Sequence, residues 1–219
     1  MAPETIVALG RIMPGELHNC YGLTECSSLG TVLPAENALS HAESVGRAVP
    51  GTRAEVRGPD GKALPTGEIG ELYLHGPHIV RGYFNTPQKS AEAIRDGWLR
   101  TGDVARIDGD GFVYILDRAK DMINRGGEKI YSLEVENVLY KYPGVAEAAV
   151  FGIPHPVFGE VPAAFVVPMP GASLDPEAVR RHCAGRLADF KVPVAVRFLD
   201  ALPRNPGGKV VKQALKRAW

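Results

Sequence analysis

The sequence predicts an α+β protein, with an antiparallel, barrel-like β region followed by a small α+β domain that has a short central sheet and flanking helices. Glycine (25 residues) and proline (18) make up about a fifth of the 219 residues, so turns divide the chain. Short alternating apolar runs dominate residues 45–116, as in strands with one buried face. The pattern then changes to mixed helices and strands, which predicts one domain over residues 1–117 and another over residues 118–219.

The first domain is expected to begin with a helix from Pro3 to Met13, which the Pro14-Gly15 pair ends. A strand is predicted from Leu17 to Tyr21, before a glycine-containing turn. The strands of the β region are expected where apolar residues alternate between turn-forming sequences, at residues 54–56, 70–75 and 112–116.

The second domain is predicted to start with a β-hairpin over residues 122–131, turning at Arg125–Glu128. Ser132 is expected to cap a helix that runs to about Tyr142. The Asp175-Pro176 pair opens a second helix, to about Leu187. Three strands and a short helix complete the prediction, at residues 145–153, 161–167, 194–199 and 211–216.

Composition excludes several classes of protein. The 25 Lys and Arg residues balance 25 Asp and Glu residues, whereas a nucleic-acid binder needs clustered positive charge. No apolar run approaches the roughly 18 residues of a membrane span, and the opening residues, MAPETIVALG, lack the pattern of a secretory signal. Three cysteines are too few for a disulfide framework, so we expect a reducing, cytoplasmic location.

Residues 21–25, Tyr-Gly-Leu-Thr-Glu, form the first polar cluster that could carry chemistry. Gly22 lets the backbone approach a ligand closely. The Thr24 hydroxyl could bond a phosphate oxygen while the Glu25 carboxylate holds Mg²⁺. The alternative is a polar turn in which the Thr-Glu pair starts a helix.

Two further clusters lie later in the chain. Asp103 ends the sequence GWLRTGD and could accept hydrogen bonds from the adjacent hydroxyls of a ribose. The alternative there is a capped loop. Arg118 lies in the charged segment 117–121 and could make a forked contact with phosphate or ribose oxygens. The alternative for that segment is an exposed linker.

The fourth cluster is the sequence PRNPGGK, which ends at Lys209. A lysine on a mobile glycine loop offers a compact charge that can reach a phosphoryl group. The alternative is a basic loop, because further Lys and Arg residues follow closely. The segment is not a P-loop, since Val210 stands where Ser or Thr is required.

Other candidate sites have weaker support. His75 and His78 have no third metal ligand nearby in sequence, and Cys20 and Cys26 lack zinc-ligand spacing. No Gly-x-Ser-x-Gly sequence is present, so nothing supports a serine hydrolase.

In order along the chain, these clusters resemble the motifs of the adenylate-forming superfamily, which includes acyl- and aryl-CoA synthetases, peptide-synthetase adenylation domains and beetle luciferases. The resemblance covers nearly the whole chain and rests on YGLTE (21–25), GELYLHGPHIVRGYFN (70–85), GWLRTGDVARIDGDGFVYILDRAKDMINRGGEKIYSLEVE (97–136), GVAEAAVFGIPHPVFGEVPAAFVV (144–167) and LPRNPGGK (202–209). Each motif is moderately specific, and the ordered set is much more so.

The resemblance implies a reaction and its cofactors. Members join a carboxylate to ATP with Mg²⁺, giving an acyl-adenylate and pyrophosphate, and most then transfer the acyl group to the thiol of coenzyme A. The expected activity is that of an AMP-forming acid–thiol ligase acting on a small-molecule carboxylic acid, either fatty or aromatic. Two alternatives stay open: an enzyme that loads a carrier protein, and an inactive remnant that binds nucleotide or a partner chain.

The resemblance also implies roles for individual residues. Tyr21 is implied to pack on adenine, Thr24 to contact the α-phosphate and Glu25 to bind Mg²⁺. Asp103 is implied to bind the ribose hydroxyls, and Arg118 to assist that contact. Lys120 is implied to be the hinge of a domain rotation, and Lys209 to stabilise charge during adenylation. Gly126 and Gly127 are implied to line the pantetheine path.

One departure from the family pattern is informative. The chain contains no Ser/Thr/Gly-rich loop ending in Pro-Lys-Gly, which in the family holds the β- and γ-phosphates. Members are much longer and carry that loop upstream of YGLTE. The chain therefore resembles the carboxyl-terminal portion of such an enzyme, and the amino-terminal portion is an expected partner. Alone, the chain is expected to bind ATP poorly and to turn over little or nothing.

Overall fold

A computed structural model of the protein describes residues 3–219, and the chain divides into two compact units. The first unit ends at Ala119 and the second begins at Lys120. This division lies two residues beyond the predicted boundary, so Arg118 belongs to the first unit. The physical reason is that Arg118 is the last residue of a strand and pairs with Asp103 on the neighbouring strand.

The first unit consists mainly of short antiparallel strands. Its regular elements are helices α1 (Pro3–Ile12) and α2 (Pro87–Ala93) and strands β1 (Asn19–Tyr21), β2 (Thr31–Leu33), β3 (Arg47–Ala48), β4 (Arg53–Arg57), β5 (Gly70–His75), β6 (Ile94–Arg95), β7 (Trp98–Ile107) and β8 (Val113–Arg118). One sheet has the order β1-β2-β3, and the other has the order β4-β5-β7-β6 with β8 also paired to β7. The predicted antiparallel β region is confirmed. Helix α2 was not predicted, because its sequence, PQKSAEA, has no apolar stripe.

The core of the first unit lies on one face of the larger sheet. Leu72 and Leu74 alternate along β5 and are fully buried with Leu99 of β7 and Val113 of β8. Tyr21 packs against the same cluster. Burial of this apolar surface stabilises the unit, and it holds Tyr21, at the end of β1, against the larger sheet.

The second unit contains one five-stranded sheet and three helices. Its elements are strands β9 (Ile123–Arg125), β10 (Glu128–Ile130), β11 (Val145–His155), β12 (Gly159–Pro168) and β13 (Val196–Phe198) and helices α3 (Ser132–Tyr140), α4 (Pro176–Ala184) and α5 (Lys212–Ala218). The strand order is β10-β9-β12-β11, and β13 pairs with β12 in parallel. The α+β class and the predicted hairpin of β9 and β10 are confirmed.

Strands β11 and β12 are buried on both faces, which explains their nearly continuous apolar sequences. On one face, residues such as Val150 and Val166 join the cluster that contains Val135 of α3 and Val179 of α4. On the other face, a second cluster contains Leu215 of α5, with further members at Ala149, Phe151, Ala163, Phe165, Val167 and Leu202. The sheet therefore forms a central layer with helices against both sides.

Two helix starts show which local signals operate. The predicted start of α4 at Asp175-Pro176 is confirmed, with Pro176 as the first helical residue. Asp175 caps this helix, since its carboxylate accepts hydrogen bonds from the backbone N–H groups of Glu177 (3.3 Å) and Ala178 (3.0 Å). The predicted cap by Ser132 is wrong, because Ser132 is the first residue inside α3 and Tyr131 occupies the cap position. The Ser132 hydroxyl is buried and accepts a hydrogen bond from the Lys212 ammonium. Within residues 3–219, no helix has the length and apolar content needed to cross a membrane.

Candidate functional site

Asp103 is the centre of a hydrogen-bonded group in the first unit. Antiparallel pairing of β7 and β8 sets Asp103 opposite Arg118, and the Arg118 Nε donates to Asp103 Oδ1 at 3.0 Å. The Tyr21 hydroxyl, at the end of β1, donates to Asp103 Oδ2 at 2.5 Å. Three residues that the sequence assigned to one nucleotide site are therefore in direct contact.

The backbone around Asp103 explains the orientation of its carboxylate. The buried Thr101 hydroxyl donates to the Leu72 carbonyl at 2.8 Å and accepts from the Asp103 N–H at 3.1 Å. Gly102 has a φ of +75°, which favours glycine, and its carbonyl accepts from the Ala119 N–H at 2.9 Å. These bonds fix β7 at the point where Asp103 projects towards Tyr21.

The surroundings of Tyr21 keep its phenol protonated beside the Asp103 carboxylate. Asp103 is 6% exposed, and a buried carboxylate is costly unless it is paired. Burial and the adjacent Asp103 charge raise the pKa of Tyr21, so its hydroxyl remains a donor at neutral pH. A carboxylate has about four lone-pair positions. With two donors in place, Asp103 retains capacity for a further pair such as a ribose diol.

The loop after Tyr21 is compact and strained. A Cβ at Gly22 would lie 2.2 Å from the Ser28 carbonyl oxygen, so only glycine fits. Ser27 and Ser28 both have positive φ angles, 50° and 77°, which non-glycine residues seldom adopt. The close approach expected at Gly22 is thus made by the chain itself. Strain concentrated at this loop is typical of functional sites.

The predicted magnesium ligand, Glu25, lies in a short 3₁₀ helix, Thr24–Cys26. Its Oε1 accepts a hydrogen bond from the Tyr83 hydroxyl at 2.6 Å, and its carbonyl accepts from the Val80 N–H at 2.9 Å. The bond to Glu25, with some burial, raises the pKa of Tyr83. Thr24 is exposed on the same loop.

Glu25 fits the way proteins hold Mg²⁺. The ion prefers hard oxygen ligands and is often bound by one or two carboxylates together with substrate phosphates and water. Among residues 3–219, no group of three His, Cys, Asp or Glu side chains is placed to hold a metal without such a substrate.

In the second unit, Gly126 and Gly127 form the turn of the β9–β10 hairpin. Their φ angles are +60° and +99°, as a type I′ turn requires. The Gly126 N–H donates to the Phe158 carbonyl at 2.8 Å, and the Gly127 N–H donates to Asn124 Oδ1 at 2.9 Å. Both glycines are exposed, and a Cβ at Gly127 would meet nothing within 4 Å. Lys120, the predicted hinge, is exposed and begins this unit.

Lys209 is exposed on a turn with a defined backbone. The Lys209 N–H donates to Asn205 Oδ1 at 2.9 Å, and the Asn205 N–H donates to the Lys209 carbonyl at 2.9 Å. Gly208, with a φ of +79°, donates its N–H to the Asn205 carbonyl at 2.9 Å. The glycines thus form a hydrogen-bonded turn, not an unstructured loop.

Sequence reasoning missed four residues that support these candidates: Thr101, Tyr83, Glu136 and Glu147. Thr101 orients Asp103, and Tyr83 holds Glu25. Glu136 and Glu147 bind the segment around Lys209, as described below. Tyr83 and both glutamates lay within the quoted motifs, but their contacts span 58, 76 and 57 positions and leave no local signal.

Comparison with known proteins agrees with the motif order. Residues 1–84 match the family described as AMP-binding enzyme, and residues 134–209 match the AMP-binding enzyme C-terminal domain. The chain is 46% identical over 202 residues to the feruloyl-CoA synthase of an Amycolatopsis species, covering 91% of this chain and 40% of the relative. It is 41% identical over 217 residues to the long-chain-fatty-acid–CoA ligase FadD13 of Mycobacterium tuberculosis, covering 99% and 43%.

Solved structures show the same likeness. The o-succinylbenzoate CoA synthetase (MenE) of Bacillus subtilis, in complex with its acyl-adenylate intermediate, matches with a TM-score of 0.90 and 33% identity, over 98% of this chain and 44% of that chain. ATP-bound MatB of Rhodopseudomonas palustris matches with a TM-score of 0.89 and 38% identity, over 99% and 43%. The chain thus spans less than half the length of the relatives it matches.

Proposed function

Since the chain belongs to the adenylate-forming family of AMP-binding enzymes, we propose that it forms part of an AMP-forming acid–thiol ligase. In this reaction a carboxylate oxygen attacks the α-phosphorus of ATP, pyrophosphate leaves, and an acyl-adenylate forms. The thiol of coenzyme A then attacks the acyl carbon, so that a thioester forms and AMP leaves. The observation that carries the proposal is the contact of Asp103 with both Tyr21 and Arg118, three residues at motif positions for nucleotide binding.

In this proposal the first unit holds the nucleotide. Asp103 accepts hydrogen bonds from the two ribose hydroxyls, and Arg118 balances its charge while offering further donors. The ring of Tyr21 packs on adenine while its hydroxyl remains on Asp103. Gly22 keeps the loop close to Tyr21, and the Thr24 hydroxyl donates to the α-phosphate.

Glu25 would hold the magnesium ion against the phosphates, with Tyr83 fixing the carboxylate. When bound, Mg²⁺ supplies neutralisation of the negative charge that develops on the phosphates during attack. With its Oε1 bonded to the Tyr83 hydroxyl, Glu25 would bind the ion through its other oxygen, Oε2.

The second unit would act on the same nucleotide in two ways. The Lys209 ammonium stabilises the charge that develops when two anions, the carboxylate and the α-phosphate, meet. Once the adenylate has formed, the Lys209 charge is no longer needed, so a rotation of the second unit about Lys120 can move it away from the nucleotide. The same rotation brings Gly126 and Gly127 alongside the pantetheine of coenzyme A, where the absence of side chains leaves room for the thiol.

The acid substrate is proposed to be aromatic or fatty. Two of the relatives are named for such substrates, a feruloyl group and a long-chain fatty acid. In this chain, residues 27–30 would supply one wall of the acyl pocket.

The test is a chimera in which this chain replaces the matching segment of the Amycolatopsis feruloyl-CoA synthase. We expect ATP–pyrophosphate exchange and thioester formation. Lys209→Ala should lower the exchange rate by about 100-fold and spare thioester formation from supplied acyl-adenylate. Lys216→Ala, at an exposed lysine seven positions later, is the matched control. An inactive, folded chimera would contradict the proposed function, and equal loss of both half-reactions would contradict the role of Lys209.

A further inference from the structure

The segment that carries Lys209 is a loop whose two ends are hydrogen-bonded to each other. We call residues 203–211 the lysine loop. At its base, the Val211 N–H donates to the Pro203 carbonyl at 2.8 Å, and Arg204 pairs with Val210 in an isolated antiparallel β-bridge. The tip, from Arg204 to Lys209, is exposed to solvent. An exposed tip with two glycines would lose considerable entropy on ordering, so contacts that fix it need explanation.

One such contact joins the loop to the sheet of the second unit. Arg204 Nη1 donates to the Gly208 carbonyl at 2.6 Å, inside the loop. Arg204 Nη2 donates to Glu147 Oε2, on β11. The guanidinium therefore bridges the loop tip and β11, a strand whose two faces are both buried. Planar donors on two sides suit arginine and not lysine.

A second contact fixes the chain beyond the loop. Lys212, three residues after Lys209, donates from Nζ to Glu136 Oε1 at 2.8 Å and to the Ser132 hydroxyl. Glu136 Oε1 also accepts from the Val150 N–H at 2.8 Å. The side chains of Lys212 and Glu136 are only 15% and 9% exposed, so this pair is a buried anchor for the start of α5.

The two contacts differ in what they do for stability. Removal of one member of a buried ion pair is strongly destabilising, so loss of Glu136 or Lys212 should lower the stability of the second unit. The Glu147 pair is half-exposed, with side chains 33% and 44% exposed, and such pairs contribute little to folding stability. Through Arg204, however, this pair connects β11 to the carbonyl of Gly208, and Gly208 directly precedes Lys209.

We propose that Glu147 is a positioning residue for Lys209, acting through Arg204 to hold the lysine loop in one conformation. This inference rests on the proposed function for its purpose, because charge stabilisation in a transition state requires a cation held in place beforehand. The Glu136–Lys212 pair supplies the fixed point on the other side of the loop. Glu147 touches no reacting atom in this scheme.

The first test needs no nucleotide. ¹⁵N relaxation on the 219-residue chain would compare the amides of Gly207, Gly208 and Lys209 in the natural protein, in Glu147→Gln and in Glu177→Gln. Glu177 forms an exposed ion pair with Arg180 on α4, remote in sequence from the loop, and is the matched control. We expect a clear fall in the heteronuclear NOE at these amides and about tenfold faster hydrogen exchange at Val211 in Glu147→Gln only, with the melting temperature unchanged.

The second test measures catalysis in the chimera described above. Glu147→Gln should lower kcat for ATP–pyrophosphate exchange about tenfold, leave the KM for ATP unchanged, and spare thioester formation from supplied acyl-adenylate. A loop that stays ordered in Glu147→Gln, or an equal effect of Glu177→Gln, would overturn the positioning role even if the chimera is active. An inactive chimera would instead overturn the proposed function and leave the relaxation result standing.

Discussion

The Tyr21 hydroxyl lies 2.5 Å from Asp103 Oδ2, although 82 positions separate the two residues in the chain. This bond joins the end of β1, with its strained loop, to the middle of β7. Because Asp103 also binds Arg118, the same carboxylate links three segments of the first unit. Hydrogen bonds to a carboxylate are shorter and stronger than bonds between neutral groups.

Tyr21→Phe is expected to lower the free energy of unfolding of the first unit by about 1–2 kcal/mol, because a buried carboxylate loses one of its two donors. The chain has two tryptophans, Trp98 in the first unit and Trp219 in the second. Urea unfolding followed by Trp98 fluorescence, in a Trp219→Phe background, would measure this unit.

The matched control for that change is Tyr73→Phe. Tyr73 is also half-buried in the first unit, its ring lies beneath the Arg57 guanidinium, and no bond from its hydroxyl is seen to residues 3–219. We expect an effect within about 0.5 kcal/mol there. Equal destabilisation by the two changes would show that the Asp103 bond contributes nothing specific.

Asp103→Asn tests the ribose contact directly. An amide presents one acceptor oxygen in place of two and no charge for Arg118, so AMP binding should weaken at least tenfold, or about 1.4 kcal/mol. The measurement is a titration of the 219-residue chain with AMP, followed by ¹⁵N shifts of Gly102 and neighbouring amides. Asp60→Asn, in an exposed turn, is the control. Shifts confined to other segments, or unchanged affinity, would remove Asp103 from the nucleotide site.

Gly22→Ala should destabilise the first unit by about 1–3 kcal/mol, since the new Cβ meets the Ser28 carbonyl at 2.2 Å and the backbone must move. Gly109→Ala is the comparison, because a Cβ there meets nothing within 4 Å and its φ is ordinary. That change should be neutral or slightly stabilising. Urea unfolding followed by Trp98 fluorescence would measure the free energy of unfolding of both variants. Similar destabilisation at both positions would mean that the loop accommodates the new Cβ at little energetic cost.

Local sequence patterns predicted the helices and strands of this protein better than they predicted the contacts between distant residues. The Asp175-Pro176 start of α4 and the β9–β10 hairpin depend on neighbouring residues, so their signals are complete in the sequence. Ser132 shows the limit, because a serine before an apolar stripe has the composition of a cap. Its hydroxyl instead binds Lys212, 80 positions later, and only tertiary packing brings the two together.

The residues of the candidate site also differ in whether a local sequence signal predicts them. Glycines at Gly22 and Gly127 are recognisable because a turn or a close approach needs them, wherever the rest of the chain lies. Tyr83 and Glu147 carry no such signal, because a tyrosine or glutamate that is at least partly exposed is ordinary until its partner is known. Residues that support a site are therefore harder to predict than the residues of the site itself.

His182 gives the second unit a predictable dependence on pH. Its Nε2 lies 3.1 Å from the Val138 carbonyl, and its ring packs edge-on against Tyr142 at 5.2 Å. Burial, with the nearby Arg186 charge, lowers the pKa of His182 below its ordinary value of 6.5, against the opposing effect of the Val138 carbonyl. The folded unit therefore binds a proton at this position less readily than the unfolded chain.

The sign of the pH effect follows from linkage. Where the unfolded state binds more protons, stability rises with pH. The contribution of His182 is therefore complete above the unfolded pKa of 6.5 and is lost as the pH falls through the lower folded pKa. His182→Gln keeps a donor for the Val138 carbonyl but cannot be protonated, so between pH 7.5 and 5 its free energy of unfolding should fall less than that of the natural protein. Urea unfolding followed by Trp219 fluorescence, in a Trp98→Phe background, measures both slopes. An NMR titration that places the His182 pKa above 6.5, or parallel slopes, would contradict the prediction.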